Sequence, residues 1–346
     1  MPVLNARALI DTLVGRIRNY HDTIGVPKAE LDLSGGIDSA VMAGLLSKAL
    51  GPENVIVVHS KINSNPEHEQ RARECAETFG LKLVVIDLTD TYMNLVDDMI
   101  EAYCTAQDDP AATNRDLQRR LRDDPTILGS IRSTIRAPIG RGFNRLFGGG
   151  IRHGTGNECE DRWMRFYQKG GDGEVDSNPI AMLSKGEVFQ LARALGVPES
   201  ILTARPSPDL WGVGDDHNDE DEIANYLDFK ASDYGQTFYS YINTDTGEYT
   251  SVGLIERVSR FLDDNEYGED LFLDGRSDGY LRRCLNAADE HPAFTGVPAD
   301  LVETVLTAAR RVEKTTRHKF NPNCPTLGSR SELVEAGALT DDLPTL

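Results

Sequence analysis

Near the N-terminus the hydrophobic positions change period in an orderly way. Leu9, Ile10, Leu13, Val14 and Ile17 recur at helical spacing, which predicts an amphipathic helix from Val3 to about Tyr20 lying on a core. Ala29–Leu33 is a short apolar run that ends at Ser34-Gly35-Gly36 and reads as a strand. Asp38 to Leu50 returns to helical spacing and stops at Gly51-Pro52. Asn54–His59 is rich in β-branched residues and predicts a buried strand. Glu67–Phe79 is a helix closed by Gly80, and Lys82–Asp87 is a third strand. Strands alternating with helices over short joints require parallel pairing and right-handed crossovers. The predicted fold class is therefore α/β, a Rossmann-like parallel sheet with helices on both faces.

That regularity does not continue. Gln107–Asp124 is polar and charged, and reads as a mobile insertion or a lid. Arginines at 132, 136, 141, 145 and 152 then stand among glycines, the most basic stretch of the chain. Leu183–Leu195 is a helix stopped by Gly196-Val197-Pro198, and Asp215–Glu222 is an acidic run. From about Asn225 to Leu346 helices and loops mix, with the firmest helical period at Leu301–Val312. The expected division is a catalytic unit over 1–224, with an insertion at about 107–125, and a helical C-terminal extension over 225–346 packing on it.

Composition bounds the partners. Lys and Arg number 36 against 56 Asp and Glu, so the 346-residue chain carries a formal charge of −20. This balance argues against broad nucleic-acid binding, which rests on concentrated Lys and Arg, but it allows a local basic pocket. The longest apolar run, around Val55–Val58, is far below the ~20 residues of a membrane span. No signal-peptide pattern opens the chain. Five scattered cysteines without a Cys-x-x-Cys pair read as reduced thiols, so the expectation is a cytoplasmic protein without a membrane partner.

The sharpest chemical signal is Leu31-Asp-Leu-Ser-Gly-Gly-Ile-Asp-Ser-Ala40. A strand delivers Ser34, Gly35 and Gly36 follow, and a helix begins near Asp38. Glycines let backbone approach an anion without Cβ obstruction. The helix N-terminus then presents unpaired N–H groups and a partial positive charge. Ser34 and Ser39 add hydroxyl donors, and Asp38 can hold Mg²⁺ against phosphate oxygens.

These residues resemble the pyrophosphate loop of the N-type ATP pyrophosphatases, which split ATP into AMP and pyrophosphate to activate a carboxylate or carbonyl. A Walker loop would read G-x-x-x-x-G-K-[ST], which the chain lacks. A second block is similar to the NAD synthetase family: His153-Gly-Thr-Gly-Asn-Glu-Cys-Glu160, Phe166-Tyr-Gln-Lys-Gly-Gly-Asp-Gly-Glu-Val-Asp176, and Leu183-Ser-Lys-Gly-Glu187. Arg205-Pro-Ser-Pro-Asp-Leu-Trp211 and His318-Lys319 extend it, and the resemblance covers about 28–90, 129–223 and that tail.

The resemblance implies an adenine nucleotide alpha hydrolase-like fold and an ammonia-dependent ligase that amidates deamido-NAD through an acyl adenylate. It implies a homodimer, ATP as co-substrate, and Mg²⁺ on Asp38 and Glu160. Ser34, Gly35, Gly36, Ser39, Thr155, Lys185 and Ser207 are assigned to ATP, with Lys185 neutralising the leaving pyrophosphate. Arg132, Arg136, Lys169, Asp176, His318 and Lys319 are assigned to deamido-NAD, and Asp176 or a nearby carboxylate to the ammonia proton. Cys159 is expected to be a packed thiol.

Three positions depart from the family pattern. Thr134 stands where an arginine is expected. His59-Ser60-Lys61 lacks another, with His59 or Lys61 as substitutes. The spacing from Glu160 to Lys169 is one residue longer than expected, so Asp161 could share the metal role. Arginines 141, 145 and 152 are then candidates for the missing anion contacts. With the loop beginning at Ser34 there is no room for a preceding glutaminase domain, so free ammonia is the expected donor unless a separate subunit delivers it. The rivals are an amide ligase for another carboxylate, a tRNA thiolase disfavoured by the charge, and a nucleotide-sensing module.

Overall fold

Helix α1 (Ala6–Ile24) turns Leu13, Val14 and Ile17 inward, as their spacing predicts, between an Asn5 cap and a left-handed Gly25. The computed structural model that shows this describes residues 5–123, 128–204, 218–264 and 284–320. Strand β1 (Ala29–Asp32), α2 (Ile37–Leu50), β2 (Val55–Lys61), α3 (Pro66–Thr78) and β3 (Lys82–Asp87) follow close to their predicted bounds. α4 (Thr89–Thr105) and α5 (Pro110–Asp123) come next, so most of the segment expected as a mobile insertion or lid is regular helix.

The arginine-rich stretch is regular as well. It forms α6 (Gly129–Leu146) and then β4 (Ile151–His153), a strand too short for sequence periodicity to reveal. The sheet runs β3-β2-β1-β4 with every neighbour parallel, Ala29 pairing with both Val55 and Ile151.

Strand alternation gives the two sheet faces different chemistry. Ala29, Leu31, Val55 and Val57 join the apolar core under α1, α2, α3 and the later α8. Glu30 and Asp32 fall on the opposite face with Arg152 of β4. Gly140 of α6 lets that helix close over them, because any Cβ there would strike the Arg152 guanidinium.

Beyond the sheet come α7 (Glu158–Asp161), α8 (Lys185–Leu195), α9 (Glu199–Leu202) and α10 (Asp219–Leu227). A β5–β6 hairpin (Tyr241–Ile242, Tyr249–Ser251), α11 (Leu254–Asp264) and α12 (Ala299–Phe320) complete the described chain. A second apolar core gathers Phe238, Val258, Phe261, Leu301 and Val305 with Cys159, Trp163 and Met164. It therefore reaches back across residue 224 into the first block of motifs. Among the described residues no helix is long and apolar enough to cross a membrane.

Candidate active site

The Ser34–Ser39 loop sits where β1 ends and α2 begins, at the carboxyl edge of the parallel sheet, the usual position for a ligand in an open α/β fold. Gly35 has φ +86°, and a Cβ there would collide with the His68 carbonyl, so only glycine fits. Gly36 caps α2 without a side chain, leaving the first-turn N–H groups facing outward. Ser34 Oγ accepts from Gly36 N at 3.2 Å and lies 3.1 Å from Ser39 Oγ, which itself donates to Gly36 O at 2.9 Å. The loop is thus pre-shaped by its own hydroxyls around a cavity of about 490 Å³.

Asp38 projects from the first turn of α2 and meets groups from two distant segments. Lys185, the first residue of α8, places Nζ 2.6 Å from Asp38 Oδ2 and 3.1 Å from Glu160 Oε1. Its backbone is fixed by a capping box between Ser184 and Glu187, in which the N-cap side chain stabilises a helix start by about 1 kcal/mol. Asn157 supplies the other anchor. Its side chain caps α7 by accepting from Glu160 N, and its Nδ2 donates to Asp38 Oδ1 at 3.0 Å.

Negative charge outweighs positive charge in this cluster. Burial pushes Glu160 up to about 7, with Lys185 opposing and Asp38 and Asp219 reinforcing the rise. Burial likewise takes Asp219 to about 6 against the pull of Lys185. Two carboxylates sharing one ammonium, beside the Ser34–Ser39 glycine loop, form a donor set suited to Mg²⁺, which commonly takes one or two carboxylates plus phosphate oxygens. Among the described residues no group of three or more His, Cys, Asp or Glu is arranged to hold a metal alone. Asp161, considered as a co-ligand, instead receives Asn178 Nδ2 at 2.6 Å, and burial drives it to about 8. Cys159 is buried, accepts Lys185 N–H, and has its thiol pushed well up by burial, so it is an inert packed group.

The remaining candidates divide. Thr155, Arg136 and Lys319 line the cavity. Arg136 Nε donates to Ser60 O at 3.2 Å, and Lys319 Nζ donates to the Arg165 and Tyr167 carbonyls at 3.0 and 2.7 Å. Arg132 is buried beneath, donating to Ile62 O, while Lys169 and His318 are exposed and outside the lining. Ser207 and the Arg205–Trp211 motif lie outside the described residues. Of the two substitutes for a missing arginine, His59 lines the cavity, whereas Lys61 pairs with Glu69 and Asp87. Thr134 bonds back to Ser130 O and contributes no cation.

Asp176 departs most from expectation. Arg141 grips its carboxylate with two bonds of 2.8 and 2.9 Å, and Arg152 N–H adds a third. Burial would raise its proton affinity, but these donors win and hold it below the usual carboxylate range. It is also absent from the cavity lining. A carboxylate so held is a poor proton acceptor. The lining carboxylate of that segment is Asp172, accepting from Ser133 Oγ at 2.6 Å and Gln168 N at 2.9 Å. Arginines 141 and 152, expected as anion contacts, are likewise spent on Glu174, Asp176, Glu30 and Asp32.

Sequence reasoning also missed Arg71, Asp219 and Tyr239 in the lining. Arg71 of α3 reaches the loop by donating to Gly35 O at 3.2 Å. Asp219 was legible only as part of an acidic run. Tyr239 lies in the extension, with Lys185 Nζ 5.5 Å from its ring centroid.

Comparison with known proteins agrees with this arrangement. The family model described as NAD synthase matches residues 9–234. The chain is 33% identical over 224 residues to the NH(3)-dependent NAD(+) synthetase of Methanococcoides burtonii, covering 64% of this chain and 75% of that protein. It is 34% identical over 228 residues to the enzyme of the same name from Carboxydothermus hydrogenoformans, covering 66% and 82%. In fold it is similar to an NMN synthetase from Francisella tularensis, with TM-score 0.62 at 20% identity over 94% of this chain and all of that one. An NH3-dependent NAD synthetase from Campylobacter jejuni gives TM-score 0.54 at 17% identity, again over 94% of this chain. The matched region spans the Ser34–Ser39 loop, Glu160 and Lys185 in one continuous stretch, and the chain belongs to the NAD synthase family.

Proposed function

We propose that the protein amidates the carboxylate of deamido-NAD to NAD, using ammonia and ATP, with release of AMP and pyrophosphate. The observation that carries this reading is the meeting of Asp38, Glu160 and Lys185 at the N-terminus of α2, directly beside the Ser34–Ser39 loop. The names of the curated relatives support ammonia as nitrogen donor.

ATP phosphates would rest on the N–H groups of the loop, with Ser34 and Ser39 hydroxyls, Arg71 and Thr155 around them. Ser207 belongs to this proposal by resemblance. The substrate carboxylate attacks the α-phosphorus, pyrophosphate departs, and an acyl adenylate remains. Lys185 takes the charge that develops on the departing pyrophosphate, a role in which a buried cation is worth far more than in water. Asp38 and Glu160 would hold Mg²⁺, which when bound polarises the phosphoryl oxygens. Ammonia then attacks the acyl carbon, AMP leaves, and the surplus proton passes to Asp172, the carboxylate of the Phe166–Asp176 segment that lines the cavity. Arg136 and Lys319, which line the cavity, would receive the acidic substrate.

A homodimer is part of the proposal. Leu95, Met99 and Tyr103 stand one turn apart on α4 and leave an exposed apolar row. A second reading, amidation of a different carboxylate, is favoured by Thr134, which leaves its position without a cation.

Product masses after incubation with ATP, Mg²⁺, ammonia and deamido-NAD decide between them. NAD, AMP and pyrophosphate in equal amounts are expected, and glutamine alone should give none. Pyrophosphate released only with other acids from a panel would establish the second reading.

A further inference from the structure

We propose that the Lys185 ammonium is an exchangeable resident cation of the metal carboxylates: in nucleotide-free protein it holds Asp38 and Glu160, and it gives them up only when nucleotide phosphate accepts it. Divalent metal and nucleotide then load as one event. The inference rests on the reading above, in which Asp38 and Glu160 take Mg²⁺ and Lys185 meets phosphate.

The oxygens that a metal needs are the ones the ammonium already holds. Nζ lies 2.6 Å from Asp38 Oδ2 and 3.1 Å from Glu160 Oε1, and Asn157 takes Asp38 Oδ1 at 3.0 Å. Lys185 is only 3% exposed, so water does little to screen it from an incoming ion. A divalent ion arriving alone must strip the ammonium from two half-buried carboxylates and leave it without a comparable acceptor. An ion arriving with phosphate brings that acceptor with it.

The surroundings allow the exchange without disturbing the fold. The Lys185 backbone is fixed by the capping box and by its N–H to Cys159 Sγ, so the movable part is the flexible four-carbon stem. Tyr239 presents its ring 5.5 Å from Nζ, and Asp219 lines the same cavity. Tyr239 would offer a displaced ammonium a cation–π contact and Asp219 a through-space charge, both weaker than the two hydrogen-bonded carboxylates it holds here. This gives the extension beyond residue 225 a task at the site. By linkage, whatever nucleotide adds to metal affinity, metal adds to nucleotide affinity.

The test is Mn²⁺ binding followed by electron paramagnetic resonance, with and without α,β-methylene-ATP, which cannot be cleaved at the α–β bridge. Wild type is expected to bind Mn²⁺ at least about tenfold more tightly with the analogue, since a unit charge in contact changes binding by that much even at high effective dielectric. Lys185→Met should bind Mn²⁺ at least about tenfold more tightly than wild type without nucleotide, and gain little from the analogue. Nucleotide-free affinity in Lys185→Met that equals or falls below wild type would overturn the exchange. So would a wild-type affinity indifferent to the analogue, a measurement that stands even if the variant fails to fold. Asp38→Asn separates the two levels. If analogue-dependent Mn²⁺ binding survives that change, the metal assignment itself is wrong and the exchange falls with it; if binding is lost, only the lysine comparison decides.

Discussion

Two ion clusters flank strand β1, both rich in carboxylates but built on different cations. Ahead of the strand, Asp38, Glu160 and Asp219 surround one ammonium, Lys185, and burial leaves Glu160 near 7 and Asp219 near 6. Under α6, Arg152 binds both oxygens of Glu30 at 2.8 Å and reaches Asp32, while Arg141 clamps Glu174 and Asp176. The guanidinium fork fixes planar, bidentate geometry and is never deprotonated. The lysine is a single movable charge among more carboxylates than it can satisfy. The arginine clusters close on their own partners, whereas the lysine cluster opens on the cavity. Asp32 touches both, lining the cavity while bonded to Arg152.

The largest effects should come from breaking each cluster in turn. Asp38→Asn keeps the shape of the site but removes its central anion. Pyrophosphate release should fall by at least about a hundredfold, the scale of losing one group that stabilises transition-state charge. Urea unfolding should change little. Arg152→Met strands two carboxylates in a face where Glu30 has no exposure, and should cost about 3–5 kcal/mol of stability. Turnover per folded molecule should stay within a few-fold. An Arg152→Met enzyme that unfolds normally yet is inactive would merge the two clusters into one functional unit.

The neighbouring carboxylates Asp172 and Asp176 sharpen the comparison at smaller amplitude. Asp172→Asn should cut amidation by about a hundredfold, the usual worth of a positioned proton acceptor, while pyrophosphate is still released in a first-turnover burst. Asp176→Asn should leave ammonia saturation unchanged and lower stability by about 1–2 kcal/mol through its bonds to Arg141 and Arg152 N–H. Rapid-quench kinetics at several ammonia concentrations separate the two steps. A burst lost in Asp172→Asn and kept in Asp176→Asn would exclude Asp172 from the second step alone.

What the sequence reveals follows from how local each signal is. The strand–glycine–helix loop declares itself, because Gly35 must adopt positive φ and the helix start must sit beside it. Asp38, Glu160 and Lys185 can be named as candidates from ordered motifs, and the fold brings them together. Which carboxylate of Asp172, Glu174 and Asp176 faces the cavity is not local information. It depends on the left-handed turn at Gly170, on the bridge between His153 and Ser177, and on arginines from α6 and β4. The fourth strand is hidden for a similar reason. Three residues carry no period, and Arg152 reads as an exposed cation until Glu30, two strand positions from any charge it could pair with locally, supplies its partner. Tyr239 gives no signal, since a tyrosine in an unassigned extension has no reason to be placed near a lysine of α8.

The smallest predicted effect concerns a histidine pair where α1 meets β4. His21 Nδ1 lies 2.6 Å from Val26 O, so it carries the proton there, and His21 Nε2 must accept from His153 Nε2–H at 2.9 Å. Burial, aided by His21, lowers His153 to about 3, with Asp176 pulling weakly the other way. The folded value lies below the ordinary 6.5, so between about 3 and 6.5 the unfolded chain binds more protons. Stability from this group is present above 6.5 and is lost as pH falls toward 3. Glu160 and Asp219 act in the opposite sense, because their raised affinities favour the folded state as pH falls. The difference between wild type and His153→Gln isolates the histidine, since glutamine can still donate to His21 Nε2. Urea unfolding from pH 7 down to pH 4 should show the variant losing less stability than wild type, with turnover per folded molecule shifted equally in both. A wild-type curve that runs parallel to the variant would mean that His153 accepts its proton without cost, and that this junction tolerates charge as the site ahead of β1 does.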